Sequence, residues 1–593
     1  MKKYLITALL TSGIMVAVMA GMLFLLSGNG RKASAQKEKK QAEELDMTAE
    51  NGQKEKVSEV EAVLLSAEKG NVYTFQYKDT NSIYDAVHSA SVKKELDKKK
   101  LITNYTIDNP LWAVNPFGTN HLSMYLYFQL SEPGYLKYTI HVKDADIPDF
   151  TRTLYNGESA VPSDRHEYQL TGLVPGMDNY IILRLYNKKN KLVEKAIYKI
   201  NMGDLNKNIP VRLDKEKGTS KGEMTNGLFF VLGYDIRNKE VPKDILFFDN
   251  SGCIRGDIPL VNYRTDRIEY AGKNMVYSYK QNGFAAVSSL GQVMNTYSID
   301  GYKQHHDFVY NGYGQLWILA SENGKKSGNV EDVVLSLDLK TGEVSKLLDF
   351  EKLLKNVEKK AKKKNKDDKT LDWIHLNSIT MLGSSDIVVS SRELSSLIKV
   401  SDVNSKVPKV EYIISEPDAW KKTGYGGLLL QKALQNQEDT EPEEEDAKKE
   451  YFISQFGQHT VTYEESPSLE EGQYYLYMFN NNFGVSTTRK DLDWKKYKGI
   501  GLSGKPAKYS YYYKYLVDET KGTYTLVESI PVPYSAIVSS TQNAGRNRVI
   551  NSGVAHVFGE YDNAGKLLYQ YSCPADSYTY RVFKYDMKQF WYQ

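Results

Sequence analysis

The chain has 593 residues, 41% hydrophobic and 25% charged, enough for more than one core and too polar to thread a membrane many times. Its 77 basic and 74 acidic residues leave a formal charge of +3, which provides no field to gather nucleic acid. Tyrosine outnumbers phenylalanine 45 to 19, a balance suited to half-buried strands whose phenol tips reach water, so an all-β architecture is expected.

Lys2 and Lys3 precede an uncharged run from Leu5 to Leu26, which as a helix is roughly 30 Å long and spans the hydrocarbon core of a bilayer. Residues 1–35 are read as a signal peptide or membrane anchor, with the rest of the chain extracytoplasmic. Ala33-Ser34-Ala35 resembles a cleavage site, and both fates stay open. Basic residues flank the run on both sides, so export rests on the run itself rather than on charge asymmetry. Residues 36–65 are polar and read as a solvated spacer or a poor helix.

Residues 66–210 alternate apolar and polar positions between Gly, Pro and Asp turns, as in Leu122–Leu130 and Tyr180–Tyr186, and predict a small β-sandwich. Tyr168–Tyr180 resembles the corner before a late strand of fibronectin-type sandwiches. From 211 to 593 a strand–turn–strand unit recurs, with turns at Asn250-Ser-Gly252, Leu290-Gly291, Lys340-Thr-Gly342, Asn404-Ser-Lys406, Glu519-Thr-Lys-Gly522 and Asn563-Ala-Gly565. Six such hairpins predict a six-bladed β-propeller with variable loops. Charged insertions at Lys352–Lys369 and Glu438–Glu450 read as solvated loops or a surface helix. Cys253 and Cys573 fall at opposite ends of equivalent outer strands, on the order of 20 Å apart, and are expected to stay unpaired.

Three histidines occupy one phase of successive blades, in His306-Asp-Phe-Val-Tyr310, His375-Leu-Asn-Ser-Ile379 and His459-Thr-Val-Thr-Tyr463, each opening an innermost strand. Innermost strands face the channel, so three imidazoles converge at one mouth. Each alone is more simply a strand cap; three in phase are not. A metal site is disfavoured, because no carboxylate but Asp307 recurs at that phase. Hairpin pairing returns Arg392 toward His375, and a guanidinium beside imidazoles suits sulfate or phosphate oxygens. Gly499–Pro506 mimics a phosphate loop but has Pro506 where Ser or Thr is needed, so nucleotide binding is not expected.

The stretches Asp372-Trp-Ile-His-Leu-Asn-Ser378, Ser390-Ser-Arg392 and Gln455-Phe-Gly-Gln-His459 closely resemble the bacterial aryl-sulfate sulfotransferases, over most of residues 66–593. The resemblance implies a β-sandwich joined to a six-bladed propeller. It also implies transfer of a sulfuryl group from a phenolic sulfate ester to a phenol acceptor, without phosphoadenosine phosphosulfate, metal or other cofactor. It assigns the nucleophile to His459, sulfate binding to His375, Asn377 and Arg392, and a further histidine to His306, with His305 retained for that last role. The chain lacks the closely spaced cysteine pair of some members. Such chemistry is ping-pong through an N-sulfonated histidine, with one neighbouring histidine, not specified by sequence, deprotonating the acceptor.

Trp373, Phe308, Tyr463, Tyr534 and Phe583 are candidates for an aromatic pocket wall, with the core as the alternative for most of them, and Arg581 and Ser539-Ser540-Thr541 for completing the site. The competing readings are a non-catalytic propeller that binds a sulfated or phosphorylated ligand, and a metal-dependent hydrolase or lyase. A homo-oligomer is compatible with the sequence, which names neither donor nor acceptor.

Overall fold

The computed structural model describes residues 44–48, 54–157, 162–205, 209–234, 244–363, 368–434, 452–575 and 577–593. Among these no helix is long and apolar enough to cross a membrane. The run Leu5–Leu26, the Ala33–Ala35 site and the acidic insertion Glu438–Glu450 lie outside the described residues.

The expected spacer is corrected in part. Glu44–Thr48 and Lys54–Ser58 pair as an antiparallel hairpin, and Val63–Leu64 adds in parallel to the strand Leu192–Asn201. Beyond it, the N-terminal sheet is organised around one 19-residue strand, Met124–Val142. The first half of this strand pairs with Leu111–Val114 and Ser163–Leu170, the second with Phe150–Thr153 and Asp178–Asn187. The register breaks between Gln129 and Gly134, around Pro133, where a proline cannot donate to the ladder. Two sub-sheets thus share a strand. A helix not expected from the strand-like pattern, Ala86–Lys99, packs Ser89, Val92 and Leu96 inward and is capped by the Asp85 carboxylate, which accepts from the amides of Val87 and His88.

Six four-stranded antiparallel sheets follow, two of them extended by a fifth strand. All six hairpin turns read from the sequence join the third and fourth strands of a blade. Ring closure was not legible. The C-terminal strand Thr579–Tyr585 is the innermost strand of blade one, beside Leu228–Tyr234, while Asp214–Lys217 adds to the outer edge of blade six. Both ends of the propeller segment are therefore tied into blades other than their sequence neighbours, which removes two open edges. Cys253 and Cys573 are buried and free.

Sandwich and propeller share one apolar core, in which Leu126, Tyr138 and Leu183 join Phe230, Phe247 and Tyr277. Tyr84 stacks on Tyr279 at 4.1 Å and donates to the Pro259 carbonyl. After the last strand, the chain returns to the sandwich, where Gln593 donates to Thr153 and Tyr155 to Trp591 through the backbone.

At the propeller axis Asp307 is fully buried. It accepts from Arg267 (3.0 and 3.2 Å), Arg581 (2.8 Å) and the Ile379 amide (3.1 Å), so blades one to four meet on one carboxylate. Burial opposes its charge, but Arg267 and Arg581 outweigh it and hold the pKa below the usual range. Asp307→Ala leaves two buried guanidiniums without their common counter-ion. It is expected to cost about 3–5 kcal/mol of propeller stability in denaturant unfolding; a change below about 1 kcal/mol contradicts this role.

Candidate functional site

The histidines reach the channel at irregular points of their inner strands, and only two are at a strand opening as expected. His375 just precedes Leu376–Leu382 and His459 begins His459–Glu464, whereas His306 lies in the middle of Tyr302–Tyr310, at its bulge. His306 and His375 have φ of 63° and 47°, and in blade five the left-handed residue is Thr460, at 60°. Each inner strand breaks register at that point, between Gln304 and Phe308, Leu376 and Ser378, and His459 and Thr462. A bulge with a left-handed residue re-aims side chains at a cost of order 1–3 kcal/mol. Three consecutive blades bear that cost at the histidine or the residue after it.

The structure brings His305, His306, His375, His459, Asn377 and Arg392 together at this mouth. The Nε2 atoms of His306 and His375 are 3.0 Å apart. His375 Nδ1 meets Asp372 (2.5 Å) and Glu331 (2.6 Å), and His305 Nε2 meets the other Glu331 oxygen. The ring of His306 lies 3.6 Å from that of His305 and 6.5 Å from that of His459, centroid to centroid. Arg392 pairs with Glu393 at 3.1 Å and lies 3.7 Å from Asp372. Glu393 is itself fixed by the amides of Thr487 and Thr488 and by three hydroxyls of the Ser486–Thr488 segment. Asn377 donates one Nδ2 hydrogen to the Gln458 carbonyl, and its buried Oδ1 has no partner.

Burial holds three imidazoles neutral. It lowers His305 to about 3 although Glu331 opposes it, and drives His306 and His459 well below the ordinary value, with Arg264 adding to the first and Arg392 to the second. His375 differs: burial and Arg392 pull it down, but the Glu331 and Asp372 carboxylates outweigh them and raise it to about 9. As an imidazolium it donates from Nδ1 to the carboxylates and from Nε2 to neutral His306. His306 then carries its hydrogen on Nδ1, where Tyr580 Oη is the available acceptor. Arg264, 2.9 Å from the same Nδ1, can only donate. When His375 gives up its proton, His306 can turn its own hydrogen to Nε2 and accept from Arg264. The pair thus has two states one proton apart: in the first, Arg264 and the Nδ1 hydrogen face one another as donors, and in the second Arg264 has its acceptor.

Several of these partners were not found from sequence. Arg264, in Arg264-Thr-Asp-Arg267, precedes the inner strand of blade two as His375 precedes that of blade four, so its phase was the available signal. Tyr580 adjoins the candidate Arg581, and Asp372 opens the motif that carries His375. Glu331, and Asn481 whose Oδ1 lies 2.7 Å from His459 Nδ1, had no signal, since both come from loops that follow second strands. Arg581 lies beneath the mouth, donating to Asp307, the Asp266 carbonyl and the Asn377 carbonyl. Ser539 Oγ bonds Ser535 and the Gly553 amide, and Ser540 ties to Val582, so these serines brace the loop. Thr541 is buried on the same strand.

The aromatic wall is corrected. Trp373, Phe308 and Phe583 are built into apolar cores, the last two because inner-strand residues alternate and these point between blades, Trp373 from the segment before the strand Leu376–Leu382. Tyr463 donates to Glu465 toward the far end of its strand. Tyr534 is half-buried, its hydroxyl near Gly501. The aromatics at the mouth are Tyr580, stacked on His306 at 5.2 Å, and Tyr263, 4.9 Å from the Arg264 guanidinium.

His305, His306, Glu331 and His375 also bring one ligating atom each within 4.8 Å of one another. Arg264 beside His306 and Arg392 beside Asp372 disfavour a cation there and favour an anion.

The chain is a propeller protein with a histidine- and arginine-lined axial mouth. The model of the arylsulfotransferase (ASST) family matches residues 213–583 and that of the arylsulfotransferase Ig-like domain matches 111–203. The chain belongs to the arylsulfotransferase family, whose general activity is aryl sulfotransfer on small aryl sulfates and phenols. No curated protein matches it. Among solved structures it is similar to apo AztD from Citrobacter koseri (12% identity over 61% of this chain and 99% of that one, TM-score 0.29) and to the WD40 domain of Toxoplasma gondii coronin (8%, 61% and 77%, TM-score 0.28).

Because His375 is raised above its ordinary value, its stabilising contribution is complete below about pH 6.5 and is lost as pH rises through about 9. A titration of ¹⁵N-histidine-labelled protein is expected to show one mouth imidazole that keeps its charge to about pH 9, absent in His375→Asn. His305, His306 and His459 are expected to stay neutral down to pH 5. All four titrating near pH 6.5 contradicts the assignment.

Proposed function

We propose that the protein is an exported aryl-sulfate sulfotransferase working by ping-pong transfer through His459. The observation that supports it best is a buried, neutral His459 whose Nδ1 is taken by the Gly457 carbonyl (3.0 Å) and Asn481 Oδ1 (2.7 Å). The lone pair is thereby left on Nε2, in a mouth that bears the Arg392 and His375 charges.

In the first half-reaction Nε2 attacks sulfur, the S–O(aryl) bond breaks, and its electron pair leaves with the phenolate. His375 turns from His306 to give its Nε2 proton to that phenolate; His306 then carries its hydrogen on Nε2 and, with Arg392 and the remaining amide hydrogen of Asn377, stabilises the sulfuryl oxygens. His305 holds Glu331 in place against His375. In the second half an acceptor phenol attacks sulfur, its proton returns to His375, and the N–S pair returns to Nε2. The proton balance closes on one residue. A raised His375 pKa suits the acid role, and the neutral form left after donation suits the base role. No cofactor enters these steps. Export is proposed from the Leu5–Leu26 run, with the membrane reached through that segment.

Steady-state kinetics with an aromatic sulfate and varied phenol are expected to give parallel double-reciprocal lines and a burst of the first phenol. His459→Asn is expected to lose at least about 10³-fold in kcat. Intersecting lines with no burst, or wild-type turnover in His459→Asn, rules the mechanism out.

A further inference from the structure

Asn481 lies outside every motif that pointed to the site, in the Asn480-Asn481-Asn482 run after the second strand of blade five. It is fully buried. Its Nδ2 donates to two backbone carbonyls, Ser535 at 2.7 Å and Val538 at 3.0 Å. Both acceptors are oxygens, so the amide can be oriented only one way, with Oδ1 toward His459 Nδ1. The loop that supplies those carbonyls is itself braced: Ser535 accepts from Ser539 and donates to the Ile537 carbonyl, and Ser510 donates to both the Asn481 and Ser535 carbonyls. A side-chain flip would bring Nδ2 against Nδ1–H and Oδ1 against two carbonyls.

We infer that Asn481 is the positioning residue of His459, and that it holds the hydrogen on Nδ1 both before attack and in the sulfurylated ring. The inference rests on His459 being the nucleophile. Once the Nε2–S bond has formed and the S–O(aryl) bond has broken, a ring that keeps Nδ1–H is cationic. It departs as neutral imidazole when the acceptor oxygen attacks sulfur, with the N–S electron pair returning to Nε2. A ring that has lost that hydrogen would have to leave as an imidazolate, a far poorer leaving group. Sulfurylation makes Nδ1–H more acidic, so the nature of its partner matters most in the intermediate. A carboxylate at this position would fix the same tautomer, but it would raise the pKa of free His459 and draw the hydrogen from the sulfurylated ring. An amide oxygen accepts the hydrogen without taking it. Gly457 contributes a second neutral acceptor at 3.0 Å, so the Nδ1 surroundings carry no charge of their own.

The test uses the full-length protein with ¹⁵N-labelled histidine, His459 being assigned by difference against His459→Asn. Wild type is expected to show the hydrogen on Nδ1 alone. Asn481→Ala is expected to lower kcat about 10- to 100-fold with KM for the aromatic sulfate within about 3-fold. Asn481→Asp is expected to add an acid limb to the kcat profile and to lengthen the life of the sulfurylated enzyme at least about 10-fold. Hydrogen on Nε2 in wild type overturns the inference even if no variant folds. Wild-type kcat in Asn481→Ala, or equal losses in both variants with an unshifted pH profile, also overturns it. Failure of the nucleophile assignment is separately visible, as turnover retained in His459→Asn while the Nδ1 tautomer persists in wild type.

Discussion

The buried carboxylate of Asp307 is the constraint on which the rest depends. It takes hydrogen bonds from blades one, two and four while belonging to blade three, and sits one residue from His306. Arg581, which it holds, reaches on to the Asn377 carbonyl, so the positions of two mouth residues follow from one ion cluster at the axis. Removing four charged or polar groups from water is costly. Here each keeps a partner, which turns the desolvated centre into a rigid floor for the site above it. The alternation of the inner strands then decides that Asp307 points into the channel while Phe308 packs between blades two and three, against Phe284.

Electrostatic roles at the mouth are divided by partner type rather than by residue type. Three of the four histidines are buried and His305 is partly so, yet only the one flanked by two carboxylates is raised, while the one flanked by an amide and a carbonyl stays neutral. In the proposed mechanism that contrast separates a proton carrier from a nucleophile. The left-handed backbone at His306 and His375 accompanies the approach of their two Nε2 atoms to 3.0 Å.

The sequence made the repeating parts of this molecule legible and hid the parts set by neighbours. Six hairpin turns and three in-phase histidines could be read because each is local to one blade and recurs. The motif around His375 carried Asp372 with it unnoticed, and the phase of Arg264 could have been read but was not. Ring closure by Thr579–Tyr585 could not, since a strand pattern does not say which sheet it joins. Nor could Asn481 or Glu331, whose meaning comes only from the imidazole facing them. The aromatic wall failed for a related reason: Trp373 and Phe583 have the composition of a pocket but the phase of a core. Ala86–Lys99 was missed because its polar, lysine-rich surface obscures the short apolar stripe of Val92 and Leu96.

What distinguishes a sulfotransferase from a propeller that only binds sulfated ligands is a covalent bond at one atom. The direct measurement is mass analysis of the full-length protein after brief incubation with an aromatic sulfate and no acceptor, quenched in alkali to preserve N–S bonds. A sulfuryl group on the peptide containing His459, discharged when a phenol is added, is the result expected. An unmodified His459 in protein that turns over the same substrate, or the group on another residue, would contradict it.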